Sequence, residues 1–378
     1  MIKKRYKLSD FAESISISVQ NPKDSPLKRF IGLEHYDSCE PIITRYQDTS
    51  LLTSAAKEFQ INDILIARRN VYLKRAGIVK FSGLTSGDSI ILRIYEDCEK
   101  RTGITKEDAI LIIPFVLNSE DFWIFANKHA DGMNSKRISK DMLLSYEFEL
   151  APIDEQRKIA QKLWAAYNLK ESYKKMIEAT DEMVKSRFIE MFGDPIANTK
   201  GWSTKTISEV APETPAKHGL KENVWLLNLD MIESNSGGII EKVRQDYDEM
   251  LSVQGFDESN VLFSKLRPYL NKVVIPDEKG YATTELVPLK PNTNYITSTF
   301  LSHLLRSDRF VKWANEIAGG TKMPRMPLSE LRSFKCMIPP LELQQQFEAI
   351  VQQADKSKFE LREAIKRVES MMKSLMNS

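Results

Sequence analysis

The sequence repeats itself at a fixed distance of 188 residues, as from Arg137 to Arg325. No gap is needed from the end of each globular part through the helical segment that follows it. Further pairs at this distance are Leu143 with Leu331, Pro152 with Pro340, Gln156 with Gln344, Ala166 with Ala354 and Ile177 with Ile365. A repeat of this length indicates a duplicated structural unit, so the two halves are expected to share one fold.

The front of each half matches more loosely. Residues 8–11 (Leu-Ser-Asp-Phe) resemble residues 207–210 (Ile-Ser-Glu-Val), and residues 71–75 resemble residues 268–272 at a distance of 197. The order of the matches is kept while the spacing drifts only in the middle of each half. We therefore interpret each unit as a globular part followed by a helix.

Two long helices are predicted from apolar residues that alternate at spacings of four and three, the pattern of a coiled-coil seam. The first seam contains Ile159, Leu163, Ala166, Lys170, Tyr173, Ile177, Thr180 and Val184. The second contains Phe347, Val351, Ala354, Lys358, Leu361, Ile365, Val368, Met372 and Leu375. The first helix is expected to end at Gly193 and Pro195, since glycine and proline commonly follow a helix C-terminus. Neither helix can bury its stripe alone, so we expect the two to pack antiparallel.

A lysine interrupts both seams, because Lys170 in the first matches Lys358 in the second. A charge at a seam position can fix the register and the partner at a cost in stability. Alternatively, each lysine extends its ammonium group to solvent along an apolar stem. The sequence leaves both interpretations open.

The predicted fold class is α/β, with two globular α/β domains separated by the two antiparallel helices and an internal pseudo-twofold repeat. Short β-type runs such as residues 61–67, 89–94 and 260–263 support small sheets in both domains. The predicted boundaries are 1–150 for the first domain, 151–194 for the central helix, 195–337 for the second domain and 338–378 for the C-terminal helix.

A net charge of +2 does not by itself indicate a nucleic-acid partner. However, the segment between Asp63 and Asp88 contains no acid, and the corresponding residues 259–276 contain none either. Since Arg and Lys suit phosphate and guanine contacts and Asn suits adenine, this recurrence favours DNA binding. The candidate contacts are Arg68, Arg69, Asn70, Tyr72, Lys74, Arg75, Lys136 and Arg137 in the first half, and Lys265, Arg267, Tyr269, Asn271, Lys272, Lys322 and Arg325 in the second.

Residues typical of catalysis are missing. The sequence contains no Asn/Asp-Pro-Pro-aromatic loop for amine methylation, no glycine-rich loop for S-adenosylmethionine and no phosphate-binding GxxxxGK[ST] motif. The four histidines, at positions 35, 129, 218 and 303, lack metal-ligand spacing, and the three cysteines, at positions 39, 98 and 336, show neither metal nor disulfide spacing. We expect no catalytic site, no metal and no cofactor bound by this chain. No apolar stretch approaches the roughly 18 residues of a membrane span, and a cytoplasmic location is expected.

Four segments resemble a known family. Residues 151–160 (APIDEQRKIA) and 339–347 (PPLELQQQF) resemble the P-x-x-E-Q-x-x-I motif that begins the conserved helices of type I restriction–modification specificity subunits. Residues 191–195 (MFGDP), followed by Gly201 and Trp202, resemble the junction into the second target-recognition domain of that family, and residues 319–326 resemble the segment that closes each such domain. The resemblance covers essentially the whole chain.

This resemblance implies a function. Each domain would be a target-recognition domain that reads one half of a split, asymmetric site in double-stranded DNA, with the helices fixing the unread gap. Two methyltransferase subunits, expected to bind S-adenosylmethionine, would dock on the helices and flip adenines into their own pockets. Motor–nuclease subunits would join for cleavage.

The sequence also fits two other functions. One is a coiled-coil scaffold with two heads that bind something other than DNA, against which the recurring acid-free segments argue. The other is a single-chain fusion of a methyltransferase with a DNA-reading domain, against which the missing amine-polarising loop argues.

Overall fold

The computed structural model describes residues 3–133, 135–247 and 252–376. The chain divides into two compact units. Unit 1 comprises Met1–Ser172 with Ile365–Ser378, and unit 2 comprises Tyr173–Ala364. Each unit therefore contains one globular α/β domain together with a segment of each long helix.

Unit 1 is built on two sheets whose strand orders are β3-β7-β10-β4-β6 and β2-β11-β8-β9-β5, and a small sheet pairs β1 with β12. Strand β8 is buried at every residue, as expected for a continuous apolar run inside a sheet. The strands are β1 (Lys4–Lys7), β2 (Ala12–Ile15), β3 (Ile17–Val19), β4 (Arg29–Ile31), β5 (Ile42–Ile43), β6 (Gln47–Asp48), β7 (Ala56–Phe59), β8 (Ile64–Ala67), β9 (Ala76–Val79), β10 (Gly83–Thr85), β11 (Ser89–Ile94) and β12 (Glu147–Leu150). The helices are α1 (Leu8–Phe11), α2 (Cys98–Thr102), α3 (Lys106–Val116), α4 (Glu120–Lys128), α5 (Lys140–Leu144) and α6 (Ile153–Phe192), the last of which continues into unit 2.

Unit 2 repeats this plan with fewer strands. Its sheets have the orders β15-β14-β19-β16 and β18-β17-β20, and β13 pairs with β21. The strands are β13 (Thr204–Thr206), β14 (Val224–Leu227), β15 (Val243–Gln245), β16 (Val253–Phe256), β17 (Val261–Ser264), β18 (Val273–Val274), β19 (Gly280–Thr283), β20 (Leu286–Leu289) and β21 (Lys335–Met337). The helices are α7 (Ile207–Val210), α8 (Ser298–Arg306), α9 (Asp308–Ile317), α10 (Leu328–Ser333) and α11 (Leu341–Met376).

The two domains share one topology. Strand β10 is parallel to β4 and antiparallel to β7, and β19 is likewise parallel to β14 and antiparallel to β16. The loosely matched front segments are the equivalent helices α1 and α7. Each is capped by a carboxylate, since Asp10 accepts from the Lys7 amide at 2.7 Å and Glu209 from the Thr206 amide at 2.7 Å. The predicted α/β class and internal repeat are confirmed.

Helices α6 and α11 contain 40 and 36 residues. Helix α6 ends before Gly193, whose φ of +81° is the left-handed conformation that favours glycine at this position. In unit 1 the first half of α6 lies beside the end of α11, with the Lys170 Nζ 4.0 Å from a Glu369 carboxylate oxygen. In unit 2 the end of α6 lies beside the start of α11, with the rings of Phe192 and Phe347 5.5 Å apart. Opposite ends meet in each unit, so the helices are antiparallel as predicted.

The predicted seam residues are buried or half-buried, Leu163, Ala166, Val351 and Ala354 fully so. The alternative in which the seam lysines reach solvent is wrong for Lys170. This side chain is buried, and its ammonium group donates to Glu40 at 2.6 Å.

Among the described residues, no single helix is long and apolar enough to cross a membrane. Only α3 and α4 taken together reach that composition, and they are bent by 68°. Their apolar residues Ile112, Phe122 and Trp123 lie in the core of unit 1.

Candidate nucleic-acid interface

In unit 1 the acid-free segment forms the loop between β8 and β9. A 3₁₀ turn at Val71–Leu73 is flanked by two residues in the left-handed conformation, Asn70 at φ 55° and Lys74 at φ 49°. Left-handed backbone at residues other than glycine costs on the order of 1–3 kcal/mol each and persists only where the surroundings enforce it. The loop is therefore held in one shape.

A closing segment distant in sequence lies beside this loop. The Asn70 amide donates to the Lys136 carbonyl at 2.8 Å, and the Ile138 amide donates to the Arg68 carbonyl at 3.0 Å. The structure thus brings together Lys136 and Arg137 with the basic loop, two groups that the sequence could only identify separately. We call residues 68–75 with residues 131–133 and 135–138 the first platform.

Unit 2 forms the same arrangement. A 3₁₀ turn at Pro268–Leu270 is flanked by Arg267 and Asn271, both at φ 50°. The Arg267 amide donates to the Pro324 carbonyl at 2.7 Å, and the Met326 amide donates to the Lys265 carbonyl at 2.8 Å. Residues 265–272 with residues 319–326 form the second platform. Backbone geometry, as well as sequence, is therefore duplicated at the candidate site.

Four of the predicted contact residues serve the loops themselves. The side chains of Arg75 and Lys272 donate to the equivalent carbonyls of Leu33 and Leu229, at 2.8 and 2.6 Å. Each cationic group thus provides a hydrogen bond to a backbone carbonyl of its own domain.

The other two residues, Lys74 and Asn271, connect each loop to a neighbouring helix of its own unit, α4 in unit 1 and α8 in unit 2. The Lys74 ammonium donates to both carboxylate oxygens of Glu120, at 3.0 and 2.7 Å. Asn271 is buried, and its amide nitrogen donates to the Arg306 carbonyl at 2.9 Å. Asn271 therefore holds the loop in place instead of presenting its amide to a base edge, which corrects the sequence-based interpretation of this residue.

The remaining candidates are directed outward or are half-buried at the rim. In the first platform, Arg69 and Lys136 are exposed, and Arg68 is half-buried. In the second platform, Lys322 is exposed, while Lys265 and Arg267 are half-buried.

Each platform also displays one exposed tyrosine at the tip of its turn. Tyr72 is 60% exposed, and Tyr269 is 49% exposed. A tyrosine offers both an apolar ring and a hydroxyl group, so both exposed side chains are candidates for contact with a ligand.

One acidic residue lies beneath each platform, and the sequence analysis missed its role. In unit 1, Asp88 has an oxygen 3.5 Å from Arg137 and 3.9 Å from Arg69. In unit 2, the Nε and Nη2 of Arg325 donate to one carboxylate oxygen of Glu285 at 3.1 and 3.0 Å, and this contact raises the pKa of Arg325. A signal was present, because Asp88 and Glu285 are separated by the same 197 residues as the two loops.

The surroundings of the first platform are nevertheless cationic. The Lys57 ammonium donates to the carbonyls of Gly87 and Ser89, both at 3.0 Å. Burial, followed by repulsion from Arg68, lowers the pKa of Lys57. Asp88 and the exposed Asp131 thus lie among a larger number of cations, and such a surface attracts polyanions.

Residues 200–369 match the family described as the type I restriction modification DNA specificity domain. The type I restriction enzyme EcoDI specificity subunit of Escherichia coli is 26% identical over 125 residues, which is 32% of this chain and 28% of that protein. The match therefore spans less than a third of the relative's length.

Two solved structures share the fold along nearly the whole chain. The type-I restriction-modification system S subunit from M. genitalium superposes with a TM-score of 0.52 at 12% identity, covering 100% of this chain and 95% of that one. A structure described by the assembly and conformational transition of the type I R-M system superposes with a TM-score of 0.55 at 15% identity, covering 99% and 96%.

Proposed function

We propose that this chain is a specificity subunit of the type I restriction–modification family, the part of such a complex that recognises double-stranded DNA. The observation that carries the proposal is the duplicated platform. In both units a strained loop and a distant closing segment are hydrogen-bonded side by side and present basic residues and one tyrosine. Arg and Lys provide both phosphate contacts and guanine contacts in the major groove.

The finer proposal is that the DNA site is bipartite and asymmetric. Equivalent positions of the two platforms carry different side chains: Arg69 corresponds to Leu266, and Asn70 corresponds to Arg267. Because Asn pairs with adenine edges and Arg with guanine edges, two platforms with such differences favour two different half-sites.

We further propose that α6 and α11 fix the unread gap and dock partner subunits. Leu169, Met176 and Met183 follow one another at seven-residue intervals along α6, and each is more than 40% exposed. Residues seven apart lie on one helical face, so this stripe resembles a second seam that another helix can cover. The partners proposed for it are two methyltransferase subunits, with S-adenosylmethionine in their pockets, and motor–nuclease subunits joining for cleavage.

A salt series tests the proposal. The chain, purified with its partner subunits, is titrated with a random-sequence duplex between about 50 and 200 mM salt. With about six phosphate contacts, the affinity is expected to fall about a thousandfold across this range, because each contact releases a counterion. An affinity that does not change with salt would contradict DNA recognition and favour the scaffold alternative, with two heads for another ligand.

A second measurement separates recognition from chemistry. The chain alone, incubated with DNA and a labelled methyl donor, is expected to transfer no label, and the complex with its methyltransferase subunits is expected to transfer it to adenine. Transfer by the isolated chain would favour the fusion-enzyme alternative.

A further inference from the structure

Tyr72 and Tyr269 occupy equivalent positions in two platforms that differ at several other positions. The residues flanking them change from Arg69 and Asn70 in unit 1 to Leu266 and Arg267 in unit 2. The tyrosine stays the same, and so does its position between two left-handed residues. A side chain that both platforms share is suited to a contact that is the same at two different half-sites.

We propose that Tyr72 and Tyr269 are sequence-independent anchors, each donating its hydroxyl hydrogen to a phosphate oxygen of the DNA backbone. The inference rests on the proposed function and separates the phosphate contacts of each platform from its base contacts. Phosphate contacts set the register of a protein on the duplex, whereas contacts to base edges specify the sequence. The shared tyrosines supply the former, and the differing residues at positions 69, 70, 266 and 267 supply the latter.

The surrounding structure is suited to holding a tyrosine in a fixed place. Val71 and Pro268, which precede the tyrosines, are buried and fix the base of each turn. The turns close through equivalent hydrogen bonds, from the Lys74 amide to the Val71 carbonyl at 3.0 Å and from the Asn271 amide to the Pro268 carbonyl at 2.9 Å. A rigid support reduces the entropy lost when the tyrosine contacts its ligand.

The backbone strain points the same way. Lys74 and Arg267 adopt left-handed conformations although neither is glycine nor asparagine. Such strain concentrates at sites that bind or react, where the surrounding structure enforces it. Here its consequence is that a large aromatic side chain projects from the tip of each turn and remains exposed.

The test compares Tyr72→Phe and Tyr72→Ala with the unaltered chain, each purified with its partner subunits. Two quantities are measured: the affinity for a random-sequence duplex across a salt series, and the preferred half-sites selected from a random duplex pool. Tyr46→Ala is the matched control, because Tyr46 lies in the same unit, is 48% exposed and is outside the platform.

Both Tyr72 variants are expected to bind random duplex about tenfold more weakly, with both selected half-sites unchanged. The slope of affinity against salt is expected to stay the same, because a neutral hydroxyl releases no counterion, whereas collapse of the basic loop would reduce the slope. Tyr269→Phe should give the same result, and Tyr46→Ala should bind as the unaltered chain does.

Three results would overturn the inference: an affinity of Tyr72→Phe equal to that of the unaltered chain, a change in the selected half-site, or a reduced salt slope. Failure of the proposed function would look different, because the unaltered chain itself would then not bind random duplex in a salt-dependent way.

Discussion

The ammonium group of Lys170 lies 2.6 Å from a carboxylate oxygen of Glu40, with only 5% of the lysine side chain and 16% of the glutamate exposed. This pair connects the seam of α6 to the loop before β5 within unit 1. The equivalent lysine in unit 2, Lys358, instead pairs with Asp181 at 2.7 Å and Asp355 at 2.9 Å on the helices themselves. The duplicated lysines therefore have different structural roles, although the sequence repeats them exactly in position.

Removing one member of the buried pair is expected to be strongly destabilising. Lys170→Ala removes the ammonium group that pairs with the largely buried Glu40 carboxylate and should lower the free energy of unfolding by about 3 kcal/mol. Lys358→Ala should cost about 1 kcal/mol, because Asp181 is 32% exposed and water can solvate it. Chemical denaturation of the full chain measures both. Equal losses would show that Glu40 does not act as a buried charge.

Acid should destabilise unit 2 through His303. Its ring packs against Phe347 at 5.0 Å, its Nδ1 lies 2.9 Å from the Thr299 carbonyl, and Arg306 lies 3.0 Å from its Nε2. A neutral ring that donates from Nδ1 and accepts from Arg306 fits these contacts. Burial first, then the nearby Arg306, lowers the pKa of His303 from 6.5 to about 3.

The sign of the effect follows from this lowered pKa. The unfolded chain takes up a proton near its ordinary pKa while the folded chain does not, so the stability is complete above about pH 6.5 and is lost as the pH falls toward about 3. At about pH 5 the loss should be about 1–2 kcal/mol. Unfolding at about pH 7.5 and pH 5, compared with His303→Gln, measures it. Equal pH dependence in the two proteins would exclude His303 as the cause.

The acids beneath the platforms should restrain DNA binding. Glu285→Gln removes the negative charge that pairs with Arg325 and keeps the shape of the side chain at position 285. This variant is expected to bind random duplex severalfold more strongly. The salt slope should become steeper by up to about 0.9, the contribution of one more phosphate contact. Arg325→Ala should act in the opposite direction, and Asp88→Asn should repeat the gain in unit 1. Weaker binding by Glu285→Gln would show that the acid orders the platform.

Much of the fold could be predicted from the sequence, and the reason is physical. The helix seams depend on spacing along one chain, so Leu163, Ala166 and Val351 were identified as buried residues. The paired segments of each platform are close only because β-bridges join residues far apart in sequence, such as Arg69 with Arg137. Composition identified both segments as basic and could not show that they are adjacent.

The individual contact residues were harder to predict. The direction of a side chain depends on backbone conformation, and the left-handed residues turn Lys74 and Asn271 toward the helices behind the loop. The partner of Lys170 was also hidden, because Glu40 is 130 residues away and lies in a loop without a repeated motif.

Substitutions in one platform should impair recognition of one half-site only. Arg68→Ala with Arg69→Ala is expected to abolish selection of one half-site and leave the other unchanged, since the altered side chains belong to unit 1. Lys265→Ala with Arg267→Ala should give the converse result. Random-pool selection followed by sequencing measures both halves at once. Loss at both halves from either variant would contradict the assignment of one half-site to each unit.

Lengthening both helices should lengthen the gap between the half-sites. Seven residues inserted between Ser172 and Tyr173, together with seven between Ala364 and Ile365, fall at the boundaries between the units and leave each unit intact. Seven residues make nearly two turns, so the seam keeps its face while each helix grows by about 10 Å. At about 3.4 Å per base pair, the gap should grow by about three base pairs with both half-sites unchanged.

A four-residue insertion within residues 165–180 of α6 alone is the contrasting variant, because it displaces the seam of one helix only and should change the gap or abolish binding. An unchanged gap after the double insertion, with binding retained, would show that the helices do not set the spacing.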